Sequence, residues 1–133
     1  MAEAALERTV RFRAHHHYRR SDWSEAMNRD AFGAVADAHA HDYLVTVAVR
    51  GPIDPHGFVV DLPALDALLA ERIGPLDGSD LNERIFSDGR VQPSTEALAR
   101  WLWDQLAERI PGSARLASVR VAEGAGLAAE YRG

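Results

Sequence analysis

Cysteine is missing from all 133 residues, which excludes a disulfide framework and every form of thiol catalysis. Nor is there an unbroken apolar run of roughly eighteen residues, the length a membrane-crossing helix needs. The opening stretch MAEAALERTV lacks the basic start and apolar core of a secretion signal. Positive charge is in deficit, with 15 Lys and Arg against 20 Asp and Glu for a net charge of −5, so no overall field draws in nucleic acid. Internal repeats, linkers and low-complexity tracts are also lacking. These absences leave a single domain over residues 1–133, expected to be cytoplasmic, with neither nucleic acid nor membrane as partner. A hydrophobic fraction of 47% is enough for a real core.

Within that frame the stretch from Phe32 to Val49, FGAVADAHAHDYLVTVAV, stands out. On an extended strand, residues two apart share a face, so His39 and His41 point the same way and Tyr43, Val45, Val47 and Val49 continue that face. Upstream, Val10, Phe12, Ala14 and His16 alternate in the same manner and would carry a third imidazole on a neighbouring strand. Three histidines plus one open position form the ligand set of a catalytic zinc site. An H-x-H pair on a strand can equally be a polar rim.

The remaining elements follow from periodicity and punctuation. A first strand is expected over Thr9 to His17 and a polar loop with a helical turn over Arg19 to Ala31. The second strand, His39 to Arg50, ends at Gly51-Pro52, and a hairpin turn at Asp54 to Gly57 leads to a third strand, Phe58 to Asp61, antiparallel to the second. Asp61 caps a helix with Pro63 in its first turn and an apolar stripe of Leu65, Leu68, Leu69 and Ile73. Gly74-Pro75 stops it, and Leu76 to Gly89 reads as loop. Ser94 caps a second helix, with Glu96 where the macrodipole favours a carboxylate and Leu98, Trp101, Leu102, Leu106 and Ile110 as its stripe. Trp103 lies off that stripe, as a rim contact or an oligomer surface. A last strand spans Ala117 to Glu123, where Val119, Val121 and Glu123 share a face. A carboxylate on such a face needs a partner, either a ligand or a strand-end salt bridge. This order describes an α+β layer, a four-stranded antiparallel sheet with two helices packed on one face.

The chain resembles the 6-pyruvoyl-tetrahydropterin synthase and 6-carboxy-tetrahydropterin synthase family along nearly its whole length. The resemblance is carried in order by Phe12, Ala14 and His16; Ser24, Asn28, Phe32 and Gly33; His39, His41 and Tyr43; Gly57, Val59 and Asp61; Leu76, Asp77, Leu81 and Asn82; Pro93 and Glu96; and Val119, Val121 and Glu123. Two departures fall on the family's chemistry. Val35 stands four residues before His39, where the family places its cysteine, and Gly78 replaces the histidine of an L-D-H relay whose Asp77 remains.

The resemblance implies the tunnelling fold, in which such units assemble as trimers or hexamers with active sites between subunits. It implies a zinc ion held by His16, His39 and His41, with Glu123 accepting hydrogen bonds from the N–H groups of a pterin-like substrate. The activity implied is a lyase reaction in which zinc binds vicinal oxygens, acidifies the adjacent C–H and stabilises an enediolate. With the relay cysteine and histidine gone, acid and base must come from elsewhere. Asp77 and His17 are the leading candidates, ahead of His15, Asp37 and Asp80. The alternatives are a noncatalytic zinc- and pterin-binding homologue with a regulatory or partner role, and a lyase acting on another polyol or carbonyl compound.

Overall fold

In a computed structural model describing residues 2–133, four antiparallel strands run in the order β1 (Glu3–His16), β2 (His39–Pro52), β3 (Arg115–Glu123) and β4 (Ala128–Tyr131). Each strand lies beside its neighbour in sequence order. Helices α2 (Leu62–Ile73) and α4 (Thr95–Leu106) pack on one face of the sheet, while α1 (Glu25–Phe32) and α3 (Leu81–Arg84) are short pieces in the connections. The expected α+β architecture, a four-stranded antiparallel sheet with two helices on one face, is the one observed.

Alternation sets the sheet's inner face. Phe12, Ala14, Tyr43, Val45, Val47, Val119 and Val121 are buried, and they meet Leu65, Leu69 and Ile73 from α2 and Leu98, Leu102 and Leu106 from α4. Both helices begin where a short polar side chain accepts a backbone N–H: Asp61 from Ala64, and Ser94 from Ala97. Among the described residues no helix is long and apolar enough to cross a membrane.

Four expectations require correction. Phe58 to Asp61 is not a strand. The Asp54 carboxylate accepts the N–H groups of His56 and Phe58, which closes a local turn, and Phe58 is 62% exposed. Nor is an edge of β2 left to pair with, since β1 occupies one side and β3 the other. The missing strand is β4, which folds back on β3 after Gly124. Second, β1 starts at Glu3 rather than Thr9, because its outer half pairs with β2 all the way to Pro52. Third, the loop expected over Arg19 to Ala31 holds a two-turn helix capped by Ser24, and the loop after Leu76 holds α3. Fourth, Trp103 is not an open rim residue. Its ring meets Tyr131 of β4 at 5.6 Å, covered by the strand the sequence reading missed.

Candidate metal centre

His16 ends β1 and His39 begins β2, and the two are cross-strand partners; Ala14 pairs with His41 in the same register. That antiparallel pairing brings a residue of the first strand beside two residues located more than twenty positions later. One ring nitrogen from each of His16, His39 and His41 lies within 4.8 Å of the others, a group able to hold a metal ion. The rings stand edge to face, with centroids 4.5 to 4.9 Å apart.

The hydrogen bonds assign which nitrogen is free. His16 Nδ1 lies 2.9 Å from the Pro93 carbonyl, and His39 Nδ1 lies 2.8 Å from the Asp37 carbonyl. A carbonyl oxygen only accepts, so both rings carry their proton on Nδ1 and their lone pair on Nε2. Backbone acceptors of this kind fix tautomer and orientation in metal-ligating histidines. The Tyr43 hydroxyl, 3.1 Å from the same His16 nitrogen, braces that ring from beneath.

Three buried polar atoms around this centre have no hydrogen-bond partner: His16 Nε2, His41 Nε2 and Glu123 Oε2. Orphaned buried donors and acceptors are rare because each costs about 1–3 kcal/mol. His41 Nε2 also stands 3.4 Å from Glu123 Oε1. No hydrogen bond fixes the His41 tautomer, and either a proton on its Nε2 or a cation among these atoms balances the carboxylate. Three converging imidazoles, two of them with the Nε2 lone pair left free, fit a divalent cation.

Burial dominates the electrostatics. Desolvation pulls His16 down to about 4, helped by the neighbouring imidazoles and against the Pro93 carbonyl, which keeps its lone pair available. It raises the Glu123 carboxyl above the usual range, with His41 and His39 opposing and Glu96 adding to the rise. The Tyr43 phenol is raised by burial and then by the Glu123 charge.

Glu123 ends β3 opposite Tyr43, on the sheet face that carries the imidazoles. Asp77 is not drawn into the cluster within one protomer. It sits along the outer edge of β1, where its Oδ1 accepts the Arg13 N–H at 2.9 Å. Gly78 follows in a left-handed conformation and donates its N–H to the Arg13 carbonyl at 2.7 Å. His17 has both backbone groups held by the Asn82 amide. Its ring lines a groove of about 290 Å³ together with Arg19, Asn82 and Phe86. His15 points outward from the edge of β1, with its N–H on the Ser79 carbonyl. Asp37 is ion-paired with Arg29, and Asp80 caps α3. Val35 is exposed in the turn that precedes β2.

Two residues near the centre escaped the sequence reading. Glu96, understood there as a helix-start carboxylate, acts electrostatically on Glu123 and lines a neighbouring groove of about 690 Å³ with Ser94, Trp101 and Tyr131. Tyr18 lies one step of the two-residue alternation beyond His16, and its ring meets that imidazole at 5.1 Å. Carrying the alternation past the end of the strand would have found it.

Comparison with known proteins follows the same lines. Residues 5–133 match the family model described as 6-pyruvoyl tetrahydropterin synthase. The 6-pyruvoyl tetrahydrobiopterin synthase of Poecilia reticulata is 34% identical over 112 residues, covering 81% of this chain and 76% of its own. A dihydroneopterin monophosphate aldolase of Pyrococcus furiosus is 27% identical over 88 residues, covering 66% of this chain and 72% of its own. The solved 6-pyruvoyl tetrahydropterin synthase of Caenorhabditis elegans superposes with a TM-score of 0.90 at 25% identity, covering 100% of this chain and 97% of that one.

Proposed function

The chain belongs to the 6-pyruvoyl tetrahydropterin synthase family, among enzymes of the lyase type, and from that premise we propose that it is a zinc-dependent lyase acting on a pterin-like substrate. The observation that carries the proposal is the convergence of three imidazoles within 4.8 Å, two of them tied through Nδ1 to backbone carbonyls. His16, His39 and His41 would hold the ion. Bound there, Zn²⁺ supplies Lewis acidity toward substrate oxygens and increases the acidity of the adjacent C–H.

The chain's own groups do the rest. Glu123, with one oxygen unpartnered, accepts the paired N–H donors of a pterin ring, a geometry suited to a bidentate carboxylate. The inner sheet face beneath, closed by Phe12 stacked on Tyr43 at 4.9 Å, keeps water from the floor of the site. Asp77 and His17 are the proposed proton carriers. Neither joins the imidazole group within one protomer, so the proposal has them act across a subunit boundary in a homo-oligomer, trimer or hexamer, in the cytoplasm. Such closure would also cover the outer edge of β4 and the part of β1 before Arg13 that the segment from Asp77 to Asp80 leaves unpaired.

A second reading is favoured by one observation. Val35 and Gly78 cannot exchange protons, and Asp77 already spends an oxygen on Arg13. A positioned acid or base contributes about 10²- to 10⁴-fold, and a chain without one would bind zinc and a pterin without turning it over, in a regulatory or partner role. Purified protein carrying one zinc per chain, assayed with dihydroneopterin triphosphate, separates the two. Turnover supports the lyase. Tight pterin binding without turnover supports the binding protein, and the absence of both binding and turnover refutes the pterin substrate.

A further inference from the structure

Around the metal centre the free polar groups are mostly of one kind. His16 Nε2 and Glu123 Oε2 are acceptors without partners, and the Glu96 carboxylate adds another acceptor nearby. Tyr43, 1% exposed, lies buried with its hydroxyl oxygen against His16 Nδ1–H. Tyr18 is the exception. Its backbone N–H is fastened to the Val35 carbonyl at 2.8 Å, which ties the segment leaving β1 to the turn before β2. Its ring forms a wall against His16 at 5.1 Å and His39 at 6.4 Å, backed by Phe32 at 6.1 Å. Among the described residues its hydroxyl makes no hydrogen bond, although the side chain packs on three rings.

We infer, resting on the pterin-lyase reading above, that the Tyr18 hydroxyl is a substrate-contacting donor that recognises an oxygen of the bound molecule. Glu123 takes the ring's N–H groups. The ligand class that satisfies both is a heteroaromatic ring with adjacent N–H donors and a hydroxyl or carbonyl oxygen facing Tyr18. The phenol suits this work because phenols, with an ordinary pKa of about 10, are protonated hydrogen-bond donors at physiological pH. A side chain with a ring but no hydroxyl would keep the wall and lose the donor.

The test uses zinc-loaded full-length protein titrated with neopterin and followed by the pterin's fluorescence. Tyr18→Phe preserves the ring. It is expected to keep one zinc per chain and the wild-type melting temperature while binding neopterin about three- to tenfold more weakly, the loss of one neutral hydrogen bond. Tyr18→Leu, which removes the wall as well, is expected to bind more weakly still. If Tyr18→Phe binds as tightly as wild type while Tyr18→Leu does not, the residue is a packing ring and the inference is overturned. If wild-type protein leaves neopterin free, the pterin reading falls and this inference with it. A loss already present in Tyr18→Phe, with zinc content and melting temperature unchanged, leaves both standing.

Discussion

Replacing His39 with alanine tests the metal centre with the least disturbance to the fold. His39 is only partly buried and sits at the start of β2, so the metal-free protein should lose little beyond the Nδ1–H bond to Asp37. That bond is worth about 0.5–1.5 kcal/mol. For a domain of this size each kcal/mol moves the melting temperature by about 3–4 °C, so the metal-free variant should melt about 2–6 °C below wild type. The zinc-loaded forms should differ far more. An ion at a thousand times its dissociation constant stabilises the folded state by about 4 kcal/mol, an increment of about 12–16 °C. With one of three ligands removed and affinity weakened about a thousandfold, the same free zinc contributes only about 0.4 kcal/mol, an increment of about 1–2 °C. The assay is thermal melting of both proteins at one fixed protomer concentration, in chelator and in buffered zinc, alongside metal analysis of the purified chains. A variant that keeps one zinc per chain and the full increment would refute His39 as a ligand and, with it, the centre described above.

Three other outcomes are expected. Glu123→Gln should retain zinc but bind neopterin about 10- to 100-fold more weakly, because a charge-assisted bond becomes a neutral one; fluorescence titration measures this, and unchanged affinity would remove Glu123 from the substrate site. Gly78→His places a side chain at φ +75°, where space is open but the left-handed backbone costs about 1–2 kcal/mol, so its melting temperature should fall by about 3–8 °C. Combined with Val35→Cys it should raise turnover of dihydroneopterin triphosphate, and a folded, zinc-loaded double variant with no gain speaks against the relay account. Asn28→Ala removes a buried amide that holds the Arg20 N–H at 2.7 Å and the carbonyls of Arg20 and Ser24; a loss of about 2–4 kcal/mol in denaturant unfolding is expected, and a change under ~0.5 kcal/mol would show that the connection carrying α1 does not depend on it.

Much of the centre was legible because a strand repeats every two residues. That period alone puts His39 with His41, aligns His16 with Phe12, and sets Glu123 beside Val119 and Val121. Capping chemistry was equally local, and Asp61 and Ser94 open helices where the sequence indicates. The errors came where distant partners decide. Glu3 to Arg8, left outside the expected first strand, is strand because β2 supplies its ladder. Phe58 to Asp61 has strand-like composition but no unpaired edge to join. Ala128 to Tyr131 has little strand preference of its own, yet β3 accepts it after the Gly124 turn.

By itself, then, the sequence determined which side chains share a face, because backbone geometry makes that a matter of counting along one strand. Only the tertiary structure decided which faces meet. The antiparallel register that sets His16 against His39 and Ala14 against His41 is chosen by burial of the whole inner sheet against α2 and α4, a free energy spread over residues from Phe12 to Val121. Glu96 and the Pro93 carbonyl reach the centre by the same packing, and no short stretch of sequence contains that information.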